Sequence, residues 1–179
     1  AVVMTATIWT WMLDGFSGII NRILFDLGLV DSYIVDWLGD PSTSFIWLMV
    51  VAIFVSLPFT TYVLLAGLQS IPKDIYEAAK VDGATGWRTY RDITLPLLRP
   101  ALLVAAIINM INVFNSFPII WAMTRGGPGS LTDTTTTHMY KLAFQLLDIG
   151  QSAAMAVVNF AVILLFVLLY LRVVDWRRA

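Results

Sequence analysis

Long apolar runs dominate the chain and predict helices that cross a membrane. Charged residues are absent from three of these runs: 41–72, 100–124 and 149–171. Each run is long enough for a span, because a helix needs about 20 apolar residues to cross the hydrocarbon core. Within them we expect spanning helices at about 45–68, 100–122 and 151–172.

The chain begins inside a fourth apolar run, which ends at Asp14. We expect residues 1–13 to be the last part of a spanning helix, with Trp9 and Trp11 at the interface, where aromatic side chains collect. No initiator Met or charged leader precedes it, so it does not fit a signal peptide. We therefore expect an excerpt that lacks the N-terminal spans of the full protein, with 1–179 forming a single transmembrane domain.

Composition supports a membrane protein. Hydrophobic residues make up 59% of the chain and charged residues 13%, against about 45–50% and 25% in soluble domains. The absence of cysteine excludes disulfide and thiolate chemistry, and a net charge of −1 offers no basic surface for nucleic acid. We expect an all-α, polytopic membrane helix bundle.

The basic residues predict the orientation. Five lie in the segment 71–100 and three near the C-terminus, whereas the other loops hold three: Arg22, Arg125 and Lys141. Lys and Arg collect on the cytoplasmic side of membrane proteins. The segment 71–100 and the C-terminal Arg172, Arg177 and Arg178 are therefore expected in the cytoplasm.

The loops on the outer side are expected to contain short helices. One has apolar residues at helical spacing: Phe16, Ile19, Ile20, Ile23, Leu24 and Leu27. Asn21, Arg22 and Asp26 fall on its other faces, and the helix either lies on the outer surface or packs on neighbouring spans. The second loop opens with a turn at 126–129 and continues into a helix that ends near Leu147.

The segment 71–100 predicts two short helices between the second and third spans. Gly83 suits the position just after the first helix, since glycine adopts positive φ without a Cβ penalty. A second helix is expected over about 86–94. Pro96 and Pro100 then mark the return to the membrane.

The same segment carries a spaced pattern of small, acidic and proline residues. Its members are Glu77-Ala78-Ala79, Asp82-Gly83-Ala84, Tyr90, Ile93, Leu95-Pro96 and Pro100. This pattern resembles the EAA loop of the membrane subunits of binding-protein-dependent ABC importers, and we call 71–100 the coupling loop. Similarity to the carbohydrate branch, the maltose, trehalose and glycerol-phosphate type, extends to Arg125-Gly126-Gly127-Pro128, Tyr140, Phe144, Gly150 and Ala153-Ala154.

The resemblance implies an importer-permease (MetI-like) fold and a non-catalytic subunit without a cofactor. No G-x-x-x-x-G-K-[ST] phosphate loop occurs in the chain, so ATP hydrolysis would belong to other subunits. The implied partners are a second homologous permease subunit, two ATPase subunits and an extracytoplasmic solute-binding protein, in a bacterial or archaeal cell membrane. The positions implied at the ATPase are Glu77, Ala78, Ala79, Asp82 and Gly83.

Polar side chains in the uncharged spans are candidates for solute contacts. Asn109, Asn112 and Ser116 have the i, i+3, i+7 spacing of one helix face, with Asn115 beside them. A buried amide without a partner costs several kcal/mol, so these groups either join helices or bind a polyol in a hydrated cavity. The resemblance implies sugar contacts on this helix and the preceding one: Ser56, Phe59, Asn109, Asn112 and Ser116.

The expected cargo is a carbohydrate such as the disaccharides trehalose or maltose. The spans contain no Lys or Arg to pair with a phosphate, which favours a neutral solute. The alternative is a secondary transporter or channel for a small neutral solute, although the spans lack buried ionisable residues for ion coupling. His138 has no neighbouring Cys or carboxylate cluster, so no metal site is predicted.

Overall fold

The computed structural model describes residues 1–173, with side chains to 172, and this part of the chain contains helices without strands. The helices are α1 Val2–Met12, α2 Ile19–Asp26, α3 Pro41–Gln69, α4 Lys73–Val81, α5 Gly86–Thr89, α6 Leu95–Leu97, α7 Arg99–Phe114, α8 Phe117–Met123, α9 Thr135–Phe144 and α10 Ile149–Val173. A π-helical turn, Tyr90–Thr94, joins α5 to α6. The predicted all-α fold class is confirmed.

Two of the described helices are long and apolar enough to cross a membrane on their own. They are α3, with 29 residues, and α10, in which Ile149–Arg172 meets the requirement. Both correspond to predicted spans. The basic residues Arg177 and Arg178, which contributed to the predicted orientation, lie outside the described residues.

The third predicted span, 100–122, is not one continuous helix. Helix α7 ends at Phe114, and α8 begins at Phe117 with Ser116 as its N-cap. Pro118 in the first turn of α8 has no N–H to donate to the carbonyl of Phe114, which favours a break here. Gly86–Leu97 and Arg99–Phe114 instead meet at 61° and together are apolar enough for one bent span.

Contacts divide the chain into two compact units, and the first contains Ala1–Val55 and Val113–Val162. Its core forms where α1 packs against α8, with α3 contributing side chains. The buried residues are Ala6, Leu13, Leu48, Val51, Ile119, Ile120 and Met123. Trp9 lines this core and meets the ring of Phe54 edge-on at 5.4 Å.

The second unit contains Ser56–Asn112 and the described residues from 163 onward. Here Gly67 allows α3 to approach the start of α7 closely. A Cβ atom on Gly67 would lie 2.5 Å from the Cβ of Ala101 and 2.9 Å from a methyl of Leu98. The unit therefore holds the second part of α3, the coupling loop and most of α7 in one compact body.

Helix α2 forms as predicted, but the burial of its polar residues differs from the prediction. Asn21 is 1% exposed, whereas Ile19 is 53% and Ile23 51% exposed. The Asn21 side-chain nitrogen lies 3.0 Å from the carbonyl oxygens of Gly15 and Val35, and the Trp37 indole N–H donates to its oxygen. Asn21 thus joins chain segments that border α2. Of the apolar stripe, Ile20 packs against the core and Leu24 is half-buried, whereas Ile19 and Ile23 are exposed.

Asn21→Ala is expected to lower the stability of the protein. The substitution leaves buried backbone carbonyls and the Trp37 indole without their partner, which costs about 1–3 kcal/mol. Thermal unfolding in detergent measures the effect. The neighbouring Arg22→Ala variant serves as the control, because Arg22 is exposed; equal unfolding temperatures for the two variants would contradict this role for Asn21.

Two aspartates outside the spanning helices organise local turns. The backbone N–H and hydroxyl of Ser17 donate to Asp14 at 2.8 Å each and hold the pKa of that carboxyl below its usual value. The hydroxyl and N–H of Ser42 likewise lower the pKa of Asp40, just before α3. Both side chains therefore stay ionised at neutral pH and fix the backbone beside α1 and α3.

Candidate functional site: the coupling loop and the polar helix pair

The first helix of the coupling loop is α4, and both its charged residues and the turn at its C-terminal end favour a helix. Asp74 lies in the first turn and Lys80 in the last, each favourable to the helix dipole. At the end, Gly83 has φ +70°, and its N–H donates to Lys80 at 3.1 Å while the N–H of Ala84 donates to Ala79 at 2.9 Å. These bonds form a Schellman motif, so the predicted position of Gly83 is confirmed.

The residues that the EAA resemblance singles out have different exposures. Glu77, Ala78, Asp82 and Gly83 are exposed, whereas Ala79 is 5% exposed and packs within the chain. Val81, between them, is 88% exposed. The end of α4 therefore exposes a surface of acidic and small residues together with the apolar side chain of Val81. The EAA motif does not include Val81.

The second arm of the coupling loop is longer than the predicted helix 86–94. Thr85 caps α5 by accepting a hydrogen bond from the Arg88 N–H at 3.4 Å. From there α5, the π turn and α6 follow one another without a gap to Leu97, so the helical run continues past Thr94 and includes Pro96. This arm leads directly to the start of α7.

One hydrogen bond joins the two arms. The hydroxyl oxygens of Tyr76 on α4 and Thr94 in the π turn lie 3.2 Å apart, across 18 residues of sequence. Beside them is a groove of about 350 Å³, lined by Tyr76, Lys80, Ala84, Gly86, Thr89, Tyr90 and Thr94. Sequence reasoning did not find this pair, because the EAA pattern includes neither position.

The candidate pathway residue Asn109 connects α7 to α3. Its side-chain nitrogen donates to the Thr60 hydroxyl at 2.8 Å and to the Ala105 carbonyl at 2.9 Å. The Thr60 hydroxyl in turn donates to the Ser56 carbonyl at 2.9 Å. The Asn109 amide nitrogen is thus used in helix packing, one of the two roles predicted for it.

The other candidate pathway residues are distributed over both units. Ser56, Phe59 and Asn112 belong to the second unit, and there Phe59 is 39% exposed and Asn112 is exposed. Asn115 and Ser116 belong to the first unit. Because α7 ends at Phe114, the prediction that Ser116 extends the helix face of Asn109 and Asn112 is wrong.

The predicted turn at 126–129 is part of a structured loop between α8 and α9. Lys141 and Asp133 form an ion pair at 2.7 Å, and Thr132 is completely buried. Gly126 has φ +86°, and a Cβ atom there would lie 2.0 Å from the Asp133 carboxylate. Glycine is therefore required at this position of the turn.

Comparison with known proteins identifies the family. The sequence model of the family "Binding-protein-dependent transport system inner membrane component" matches residues 1–178. The chain belongs to this family. Its predicted membrane location and importer-permease fold are thereby confirmed, and the family description makes the chain an inner membrane component of a transport system.

Similar proteins include permeases of bacteria and archaea. A probable ABC transporter permease protein of Brucella suis is 47% identical over 97% of this chain and 60% of its own length. The trehalose/maltose transport system permease protein of Thermococcus litoralis is 38% identical over 98% of this chain and 58% of its own length. The chain therefore spans about 60% of the length of these relatives.

A solved structure has the same fold. It is the crystal structure of a bacterial alginate ABC transporter in complex with an alginate pentasaccharide-bound periplasmic protein. The likeness has a TM-score of 0.85 at 27% sequence identity and covers 98% of this chain and 60% of that chain. Proteins similar to this chain are thus named for different carbohydrates.

Proposed function

We propose that this chain is the core of a permease subunit of an ATP-driven ABC importer for a carbohydrate. The observation that carries the proposal is the exposed end of α4, where Glu77, Val81 and Asp82 surround a Schellman turn in the coupling loop. A transport subunit without a phosphate-binding loop needs a site that receives motion from an ATPase, and this exposed, hydrogen-bonded helix end is suited to that role.

The proposed assembly contains a second homologous permease subunit, two ATPase subunits and an extracytoplasmic solute-binding protein. Support comes from the family and from the alginate transporter structure, which contains a periplasmic protein with bound sugar. ATP binding and hydrolysis would move the ATPase pair, and α4 would carry that motion into the permease. Such a mechanism requires two discrete arrangements, whose balance the nucleotide shifts.

The proposed substrate class is a neutral carbohydrate, and a disaccharide such as trehalose or maltose is the finer hypothesis. The relative from Thermococcus litoralis supports it by its name. We propose solute contacts at Ser56, Phe59, Asn112, Asn115 and Ser116. An amide offers a donor and an acceptor to sugar hydroxyls, and a phenyl ring can stack on the apolar face of a sugar.

The competing function is a secondary transporter or channel that works without an ATPase. The two described helices that are each long enough to span a membrane, α3 and α10, contain no Asp, Glu, Lys or His for ion coupling. A channel would also have no use for the exposed acidic end of α4. Family membership favours the ATP-driven importer over both.

Two experiments test the proposed function. The full-length permease, purified in mild detergent, is expected to co-isolate ATPase subunits and a homologous permease. The associated solute-binding protein, screened by thermal shift against neutral sugars, is expected to gain stability with one class of carbohydrate. Isolation of a permease that carries no ATPase, yet still transports solute, would contradict the proposal.

A further inference from the structure

In the proposed importer the coupling loop carries motion from α4 to α7, and the covalent connection between its two arms is the short turn that contains Gly83. Helix α4 is followed by the turn 82–85, in which Gly83 has no side chain, Ala84 has only a methyl group, and Gly83 and Thr85 are exposed. Of the nine residues of α4, only Ala79 is buried. A groove of about 350 Å³ separates parts of the two arms. Packing alone therefore gives α4 little rigidity relative to α7.

The hydroxyl oxygens of Tyr76 and Thr94 lie 3.2 Å apart, and either hydroxyl can donate to the other. The Thr94 hydroxyl also lies 3.4 Å from the carbonyl oxygen of Thr89, to which it can donate. When it does so, its oxygen accepts the proton of the Tyr76 hydroxyl. Thr94 is buried, with 8% of its surface exposed, and Tyr76 is half-buried.

Thr94 lies at the end of the second arm that leads toward α7. It is the last residue of the π turn and directly precedes α6, which leads into α7. π-Helical turns are rare and occur frequently at functional sites, because a wider turn re-aims backbone and side-chain groups. A displacement of Tyr76 would therefore reach α7 through Thr94 without passing through the Gly83 turn.

We propose that Tyr76 is a positioning residue that ties the coupling helix α4 to the π turn at the base of α7, so that ATPase motion reaches the transport pathway. The proposal rests on the proposed importer function, which it deepens. Its geometric basis is the Tyr76–Thr94–Thr89 chain of hydrogen bonds beside the groove.

The test uses the complete transporter in proteoliposomes and measures solute imported per ATP hydrolysed. Tyr76→Phe removes one hydroxyl and keeps the ring. It is expected to lower this ratio about three- to tenfold, the range that corresponds to one net hydrogen bond, while the ATPase still co-isolates and still hydrolyses ATP. Lower protein stability alone reduces the amount of active complex but leaves the ratio unchanged, so the ratio reports on coupling.

Substitutions at Thr94 test the other partner of the same hydrogen bond. Thr94→Ser keeps the hydroxyl and is expected to keep the normal ratio, whereas Thr94→Val is expected to lower it as Tyr76→Phe does. The double variant that combines Tyr76→Phe with Thr94→Val should have a ratio no lower than either single variant, because both substitutions remove the same hydrogen bond. Tyr62→Phe, which removes a hydroxyl from a side chain that is 75% exposed on α3, is the control and should leave the ratio unchanged.

The outcomes separate this proposal from the proposed function. A normal ratio in Tyr76→Phe and Thr94→Val, or losses that add in the double variant, would overturn the role of Tyr76 while leaving the importer function in place. Uptake by the wild-type transporter that does not depend on ATP would overturn both.

Discussion

Gly83→Asp is expected to reduce ATP-driven uptake to background while the permease still inserts and folds. Gly83 has φ +70°, and no atom lies within 4 Å of the position that a Cβ would occupy. The folding cost is therefore limited to the backbone preference, on the order of 1 kcal/mol. The new carboxylate would instead project from the exposed turn beside Asp82, where we propose that the ATPase docks.

Gly28 provides a matched control for this substitution. It has φ +69° with no atom near a built Cβ, and it follows α2 with the same pair of Schellman hydrogen bonds. Gly28→Asp thus applies the same backbone strain and charge on the expected outer side. It should leave uptake and ATPase co-isolation near the wild-type values. Normal transport by Gly83→Asp, with its ATPase bound, would show that α4 does not dock there.

Asn112→Ala is expected to raise the solute concentration needed for half-maximal uptake by about tenfold, the effect of one hydrogen bond at the upper end of its usual range. Asn112 is exposed on α7, so truncation leaves no buried group unpaired within the described chain. Thermal stability and ATPase co-isolation should stay normal. Competition between neutral sugars for uptake measures whether the substrate preference also changes.

Asn109→Ala is the informative comparison, since it lies on the same helix three residues earlier. Its side chain bonds to Thr60, so its loss is expected to lower the unfolding temperature rather than to change substrate preference. If Asn112→Ala behaves in the same way, with lower stability and unchanged uptake kinetics, then Asn112 is a packing residue and the proposed solute contact is wrong.

Local sequence chemistry predicted some parts of the coupling loop well. A glycine just after a short amphipathic helix commonly takes the positive-φ position that ends the helix, and Gly83 does so. The long spans α3 and α10 were equally predictable, because each lies in an uncharged apolar run longer than the roughly 20 residues that a span needs.

Other features depend on groups far apart in the sequence and were not predictable in the same way. The break at Asn115 and Ser116 lies within an uncharged run, so the hydropathy of the sequence does not reveal it. Pro118 is the residue in the sequence that indicates a helix break here. Asn21 was placed on a polar face, yet it is buried because its partners come from residues 15, 35 and 37. A helical stripe indicates which residues share a face, but in a membrane protein the apolar face can be the outer one.

An importer of this kind differs from a channel or a secondary transporter because its uptake requires ATP. The full-length permease is reconstituted in proteoliposomes with its co-isolated subunits and solute-binding protein, and uptake of the sugar that the binding protein selects is followed with and without internal ATP. We predict uptake against a concentration gradient that requires both ATP and the binding protein. Equal uptake in the absence of ATP would contradict the account and identify a channel or a secondary transporter.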